Sequence, residues 1–439
     1  MNNTPKKTIL SKDGANYLIP FILVTSCFAL WGFANDITNP MVKAFSKIFR
    51  MSVTDGALVQ VAFYGGYFAM AFPAAMFIRK YSYKAGLLLG LGLYALGALL
   101  FFPAMMTGYY YPFLIAYFIL TCGLSFLETS ANPYILSMGT EETATRRLNL
   151  AQSFNPMGSL LGMYVAMNFI QNRLNPMGTA ERSQLSPAEF EAMRDSDLAV
   201  LIAPYLVIGV IILIMLLLIR IVKMPKSCDT SHSINFLPTL KRIFSIRHYR
   251  EGVIAQFFYV GAQIMCWTFI IQYGTRLFVS QGMSEQAAEV LSQQYNIVAM
   301  VIFCVSRFVC TFILRYLNPG FLLKILAIVA CCFTLGVISF QNIGGMYCLV
   351  GVSACMSLMF PTIYGIALRG LGDDAKFGAA GLIMAILGGS ILPPLQANII
   401  DQSVILGMPA VNLSFILPFI CFVVVTIYGH RSYVRAKAK

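Results

Sequence analysis

Charge is scarce in this sequence. Only 11% of its 439 residues are Asp, Glu, Lys or Arg, against about a quarter in soluble globular chains. Histidine is scarcer still: His232, His248 and His430 are the only three. No CxxC pair, clustered histidine, phosphate-binding glycine loop or nucleophile motif accompanies them, so neither an enzyme, a metal nor a cofactor is expected. Of the eleven cysteines, Cys27, Cys122, Cys266, Cys304, Cys310, Cys331 and Cys332 lie inside apolar runs and read as small packing residues. The alternating pattern of an outer-membrane barrel is missing. The N-terminal MNNTPKKTILSKDGANY also lacks the short apolar core and cleavage site of a removable signal, so the first apolar run is expected to stay as a helix.

What is present is grease. Hydrophobic residues make up 58% of the chain, in runs of about 20, the length that crosses a hydrocarbon core of roughly 30 Å. Twelve helical spans are predicted, near 18–42, 56–78, 84–106, 108–138, 148–171, 199–222, 251–275, 288–314, 321–340, 343–368, 377–400 and 408–430. The fold class is therefore an all-α membrane protein. With both ends on one side, 23 of the 31 basic residues share that side; Lys43, Lys47, Arg50, Arg173, Arg182, Arg194 and Arg276 fall on the other, and Arg307 lies within a span. Basic residues stay cytoplasmic, so both termini are expected in the cytoplasm. The net charge of +13 then needs no nucleic acid to explain it, and the partner expected from the apolar runs is the lipid bilayer.

The least hydrophobic internal stretch divides the chain. The organisation expected is a cytoplasmic tail over 1–17, a six-helix half over 18–222, a cytoplasmic linker over 223–250, a second six-helix half over 251–430 and a tail over 431–439. Weak repeats suggest that the halves are copies: Trp31 with Trp267, Lys80-Tyr81 with Arg315-Tyr316, Pro133 with Pro361, and Gly158-Ser159 with Gly389-Ser390. Two pseudo-symmetric halves around a midplane site describe a major facilitator carrier that rocks between two openings. The loop QNRLNPMGTAERSQLSPAEFEAMRDSD is expected to hold a short surface helix from Pro187, with no function assigned. Glu141, Glu142, Asp373 and Asp374 fall in cytoplasmic loops, suited to gate ion pairs or to plain solvation.

Four stretches inside the spans carry polar side chains at helical spacing. FALWGFANDITNP places Asn35, Asp36 and Asn39 on adjoining parts of one face, with Asp36 near the outer mouth because Pro40 follows one turn later. LSFLETSANPYIL sets Glu128 and Asn132 one turn apart, and Pro133 frees backbone carbonyls about a turn back. RLNLAQSFNPMGS offers Gln152 and Asn155, and EGVIAQFFYVGAQIMCWTF aligns Gln256, Gln263 and Trp267. Tyr364 joins the set, though it and Phe360 equally suit packing. Amides, two carboxylates and an indole fit a neutral polyhydroxylated ligand. An anionic one would call for inward arginines; only Arg307 is available, near the cytoplasmic end, where a gating or structural role fits it. Burial disfavours the charged form of a carboxyl, so Glu128 suits a group that loads a proton outside and loses it inside. For Asn35, Gln152 and Gln263 the competing reading is interhelical hydrogen bonding without substrate contact.

At these residues the chain resembles the bacterial fucose:proton symporter family of the major facilitator superfamily, whose members carry fucose or glucose and galactose. The likeness runs through RKYSYKAG, LETSANP, RLNLAQSFN, AQFFYVGAQ with CW following, and FPTIYG, in the family's order. It implies that Glu128 is the family's fourth-helix acid and that Gln152 and Asn155 match its cavity amides. One departure stands in the first helix, where the family pattern W-x-x-A-N-N-L-N-D ends in an acid. Here Asn39 takes that place, and Asp36 stands where the family has its second Asn. The resemblance implies a symporter of the bacterial inner membrane that imports a monosaccharide, L-fucose, with H⁺. The alternatives are a sodium-coupled (Na⁺) glucose/galactose carrier of the same fold and a sugar sensor that binds without transport. The expected coupling acids are Glu128 and Asp36; the expected sugar contacts are Asn35, Asn39, Asn132, Gln152, Asn155, Gln256, Gln263, Trp267 and Tyr364.

Overall fold

The computed structural model describes residues 11–12, 15–138, 150–152, 154–224, 236–314, 316–369, 371, 375–405 and 407–437. Arg146, Arg147, Glu141, Glu142, Asp373, Asp374, Arg315, His232 and residues 225–235 of the linker lie outside the described residues. Among the described residues, eleven helices are long and apolar enough to cross a membrane. The first half of the chain contributes α1 (Leu18–Thr38), α2 (Leu58–Lys80), α3 (Tyr83–Leu99), α4 (Tyr111–Ser137), α5 (Phe154–Val165) and α6 (Pro187–Ile221). The second contributes α7 (Arg247–Ser280), α8 (Glu285–Ile313), α9 (Pro319–Ser339), α10 (Ile343–Met356), α11 (Gly388–Ile400) and α12 (Ile416–Lys437). α5 runs straight into a π-helical turn, Ala166–Gln171, and is the twelfth helix of the series. Successive helices run in opposite directions. One face of the bundle therefore carries the start of α1 and the end of α12, called here the terminal face, and the other is the far face.

Polar caps fix where several helices begin. Ser82, Ser284, Asn318 and Asn342 accept hydrogen bonds from the first turns of α3, α8, α9 and α10. Ser186 and Glu189 form a reciprocal capping box at the start of α6. Nothing stops the helix between that box and the apolar run that follows. The surface helix expected from Pro187 and the span expected over 199–222 are therefore one helix of 35 residues. The approach to its start is pinned by a buried ion pair, Arg182 to Asp197 at 2.7 Å. The α1 line also differs from expectation. After a turn at Asn39-Pro40 it resumes as Met41–Ile48, so the helix line continues past Asp36, which is only 4% exposed.

The closest helix crossings are backbone on backbone. A Cβ on Gly158 of α5 would lie 1.9 Å from the Ala29 carbonyl oxygen of α1, and one on Gly388 of α11 would lie 1.9 Å from the Phe257 oxygen of α7. Only glycine admits such an approach, the usual route to tight packing between membrane helices. Phe257 and Gly388 follow Ala29 and Gly158 by 228 and 230 residues, matching the 228 from Pro133 to Pro361. The duplicated halves are thus visible in packing. The register nevertheless sets Trp31 opposite Tyr259 and Gly158 opposite Gly388, so Trp267 and Gly389 are not their counterparts.

Within the first set, α3 packs on α4 and α6, and α1 on α5; within the second, α9 packs on α10 and α12, and α7 on α8 and α11. α2 packs on α11 and α5 on α8, joining the sets along two seams. Gly158→Val should push α1 and α5 apart at a cost typical of overpacking, about 1–3 kcal/mol, and lower the melting temperature of the purified protein. A Cβ at Gly365 meets nothing within 4 Å, so Gly365→Ala should melt with the parent; equal melting of all three would contradict the packing.

Candidate functional site

Two of the buried carboxylates, Glu128 and Asp36, are the acids that the sequence singled out. Glu128 on α4 is 8% exposed, and its Oε2 has no hydrogen-bond partner. One turn on, the Asn132 Nδ2 donates to the Glu128 carbonyl at 3.1 Å, satisfying backbone beside the stretch that Pro133 weakens. The Asn132 Oδ1 in turn accepts from the Gln152 Nε2 at 3.0 Å, so the predicted amides of the fourth and fifth helices form one chain. Tyr67 of α2 and Tyr364 lie within electrostatic reach of Glu128. Tyr364 sits in Met359–Leu368, the continuation of α10, so Glu128 faces both halves of the chain.

Asp36 is held differently. The Asn39 Nδ2 donates to its Oδ1 at 3.0 Å. The Asn39 Oδ1 accepts from the Thr268 hydroxyl of α7 at 3.3 Å and from the Gln60 Nε2 of α2 at 3.4 Å, and Gln60 also donates to Thr268 at 3.0 Å. Asn39, Gln60 and Thr268 thus link Asp36 to α2 and α7 in one network. α2 runs past both acids. Tyr64, near Asp36, stacks on Tyr67 with ring centroids 6.3 Å apart, and the Tyr67 hydroxyl donates to the Asn35 Oδ1 at 3.5 Å.

The remaining predicted residues are placed less directly. Asn155 is half-buried, and its Nδ2 donates to the Phe28 carbonyl at 3.2 Å, a bond across the α1–α5 crossing. Gln263 is half-buried on α7. Gln256 is fully buried with neither amide atom partnered, and nothing brings it to either acid. Trp267 donates its indole N–H to the Ser353 hydroxyl at 3.1 Å and packs edge-on against Phe303. Its polar edge is used within the second half, and only its ring is left to offer a ligand. Arg307 donates from Nε to the Ser357 carbonyl at 3.1 Å. That carbonyl is the one Pro361 leaves without its helical donor, so Arg307 holds the break between the two parts of α10.

Sequence reading missed Tyr64, Tyr67, Gln60 and Thr268. The tyrosines had a signal, three residues apart in an otherwise apolar FYGGYF; Gln60 and Thr268 look like isolated polar residues until the helices are in register.

The far face is closed between the two halves. Lys43 lies 3.2 Å from Glu285 and 3.6 Å from Glu289, with Lys47 3.8 Å from Glu289. Asp401 accepts from the Val53 and Thr54 amides at 2.8 Å each, and the Gln286 amide donates to the Leu174 carbonyl at 3.2 Å. Towards the terminal face Gln152, Pro361 and Gly365 are exposed.

Comparison with known proteins places this architecture. Residues 24–394 match the Major Facilitator Superfamily. The chain is 51% identical over 423 residues to an L-fucose-proton symporter of Haemophilus influenzae, covering 95% of this chain and 97% of that one. It is 30% identical over 429 residues to a glucose/galactose transporter of Brucella abortus, covering 97% of each. The crystal structure of the major facilitator transporter FucP in its outward conformation superposes with a TM-score of 0.72 at 34% identity, over 95% of this chain and 99% of that one. An all-helical bundle of two duplicated halves, polar where they meet, and a match that runs through most of its length make this chain a member of the major facilitator superfamily of membrane transporters.

Proposed function

We propose that this protein imports L-fucose together with a proton across a bacterial cytoplasmic membrane, both termini inside. The observation that carries the reading is Glu128: a buried carboxyl with an unpartnered oxygen, with phenols of both halves within electrostatic reach and the linked amides of Asn132 and Gln152 one turn on. A neutral sugar can donate hydroxyls to such a group, and a proton can neutralise it; a lone anion at that depth is costly. The relatives named for L-fucose and proton symport support the choice of sugar and ion.

In this reading Glu128 and Asp36 handle coupling. Asn35, Asn132, Gln152, Asn155, Gln263 and Tyr364 contact the sugar, the Trp267 ring flanks it, and Asn39 and Gln256 act at the margins. The bodies that move are 18–222 and 251–430, joined by the linker 223–250. With the terminal face cytoplasmic, closure of the far face describes a carrier shut to the outside. Loading requires the ion pairs of Lys43 and Lys47 to part; release follows when the far face closes and the proton leaves Glu128.

Uptake of labelled L-fucose into vesicles should rise under an outside-acid gradient and ignore a sodium gradient. Stimulation by sodium alone would assign the protein to sodium coupling, and saturable binding without accumulation would make it a sensor. Galactose or glucose should compete less well than unlabelled L-fucose; stronger competition by either would change the sugar.

Glu128→Gln keeps the shape of the neutral acid and cannot release a proton. It should retain sugar binding and exchange of labelled for unlabelled sugar across the membrane while losing uphill accumulation. Normal accumulation in that variant would remove Glu128 from coupling.

A further inference from the structure

The network around Asp36 crosses between the two halves, and that crossing has a consequence for transport. Asp36, when ionised, can only accept hydrogen bonds. Its side-chain donors are the Ser159 hydroxyl and the Asn39 Nδ2, and the Asn39 amide offers one NH₂ and one carbonyl, so which end faces Asp36 depends on what holds the other. What holds it is a pair of donors. The Thr268 hydroxyl and the Gln60 Nε2 both point at the Asn39 Oδ1, and Gln60 supplies Thr268 with a hydrogen bond in return. Every one of these side chains is buried. Gln60 belongs to the same half as Asp36, but Thr268 sits on α7, in the other half, and reaches Asn39 while the far face is closed by Lys43, Lys47, Glu285 and Glu289. The other groups that face Asp36 are Ser159 from α5, Tyr64 from α2 and Cys304 from α8. None of them carries a fixed positive charge that would hold the carboxylate in place of Asn39.

Building on the symport reading, we propose that Thr268 and Gln60 are positioning residues that lock the Asn39 amide towards Asp36 only while the far face is closed, joining that closure to the state of Asp36. Separation of the halves removes Thr268, which both donates to the Asn39 amide and accepts from Gln60, and so loosens the hold on that amide. By reciprocity, whatever changes Asp36 changes the balance between closed and open by the same factor. Thr268 thereby acts on the coupling acid through Asn39, without touching sugar or proton.

The test uses the full-length protein in lipid nanodiscs and needs no sugar. Amide hydrogen exchange over Met41–Ile48 and the first turns of α8 reports opening of the far face. Thr268→Val, which keeps shape and removes the hydroxyl, should speed that exchange about fivefold, the factor expected for one buried hydrogen bond. Thr268→Ser should match the parent, and Gln60→Met should follow Thr268→Val. In vesicles the same two defective variants should lose uphill accumulation while keeping sugar exchange. Parental protection in both Thr268→Val and Gln60→Met, or a Thr268→Ser as open as Thr268→Val, would overturn the proposal. If the parent does not take up L-fucose with protons, the symport reading fails, and the hydrogen-exchange arm still decides whether this bridge controls the far face.

Discussion

A carboxylate inside a hydrocarbon layer must be hydrogen-bonded, paired with a cation or neutralised, and Asp36 and Glu128 meet that demand in different ways. Asp36 is held by a network in which the Asn39 amide donates to it and accepts in turn from Gln60 and Thr268. Glu128 is left with an open oxygen. That difference gives the acids different work. The enclosed acid is tied to the arrangement of the helices, and the open one is available to whatever enters between the halves. Tyr64 and Tyr67, one turn apart on α2, stand beside one acid each and give the two sites a shared wall.

The glycine crossings make such exposure of polar groups to one another affordable in structural terms. Because α1 meets α5 through Gly158, and α7 meets α11 through Gly388, the polar faces of α1 and α7 are brought close to their neighbours' backbones. Asn155 and Ser159 can then reach carbonyls on α1, at 3.2 Å and 3.3 Å. Each half also holds ion pairs of its own, Arg182 with Asp197 in the first and Arg431 with Glu251 in the second. The ion pairs that join the two bodies lie at the far face. The close helix crossings within a half therefore rest on shape, and the contacts between halves at the far face on polar groups that can separate and be hydrated. That division suits parts that must move against one another.

Much of this was legible in the chain itself. Span number, the duplicated plan and the pairing of Glu128 with Asn132 follow from run length and helical spacing, because both are local properties. The link from Asn132 to Gln152 was within reach because the two stretches stand in consecutive helices. Thr268 and Gln60 were not, since they are 208 residues apart in sequence and meet only through the register of α2 against α7. Lys43 and Glu285, 242 residues apart, escaped for the same reason. The matched tryptophans misled because a rare residue recurring once in each half looks like a repeat, whereas Trp267 is held by Ser353 and Phe303 within its own half. The extent of α6 was missed because its start is written in a cap, Ser186 with Glu189, and not in hydrophobicity.

The claim at the centre of this account is that a proton accompanies the sugar. It is tested most directly in proteoliposomes with no imposed gradient, by adding L-fucose to a weakly buffered external medium and following its pH. The account predicts that the medium turns alkaline in step with sugar entry, and that the change vanishes with Glu128→Gln. Sugar entry at the parental rate with no movement of external pH would contradict it.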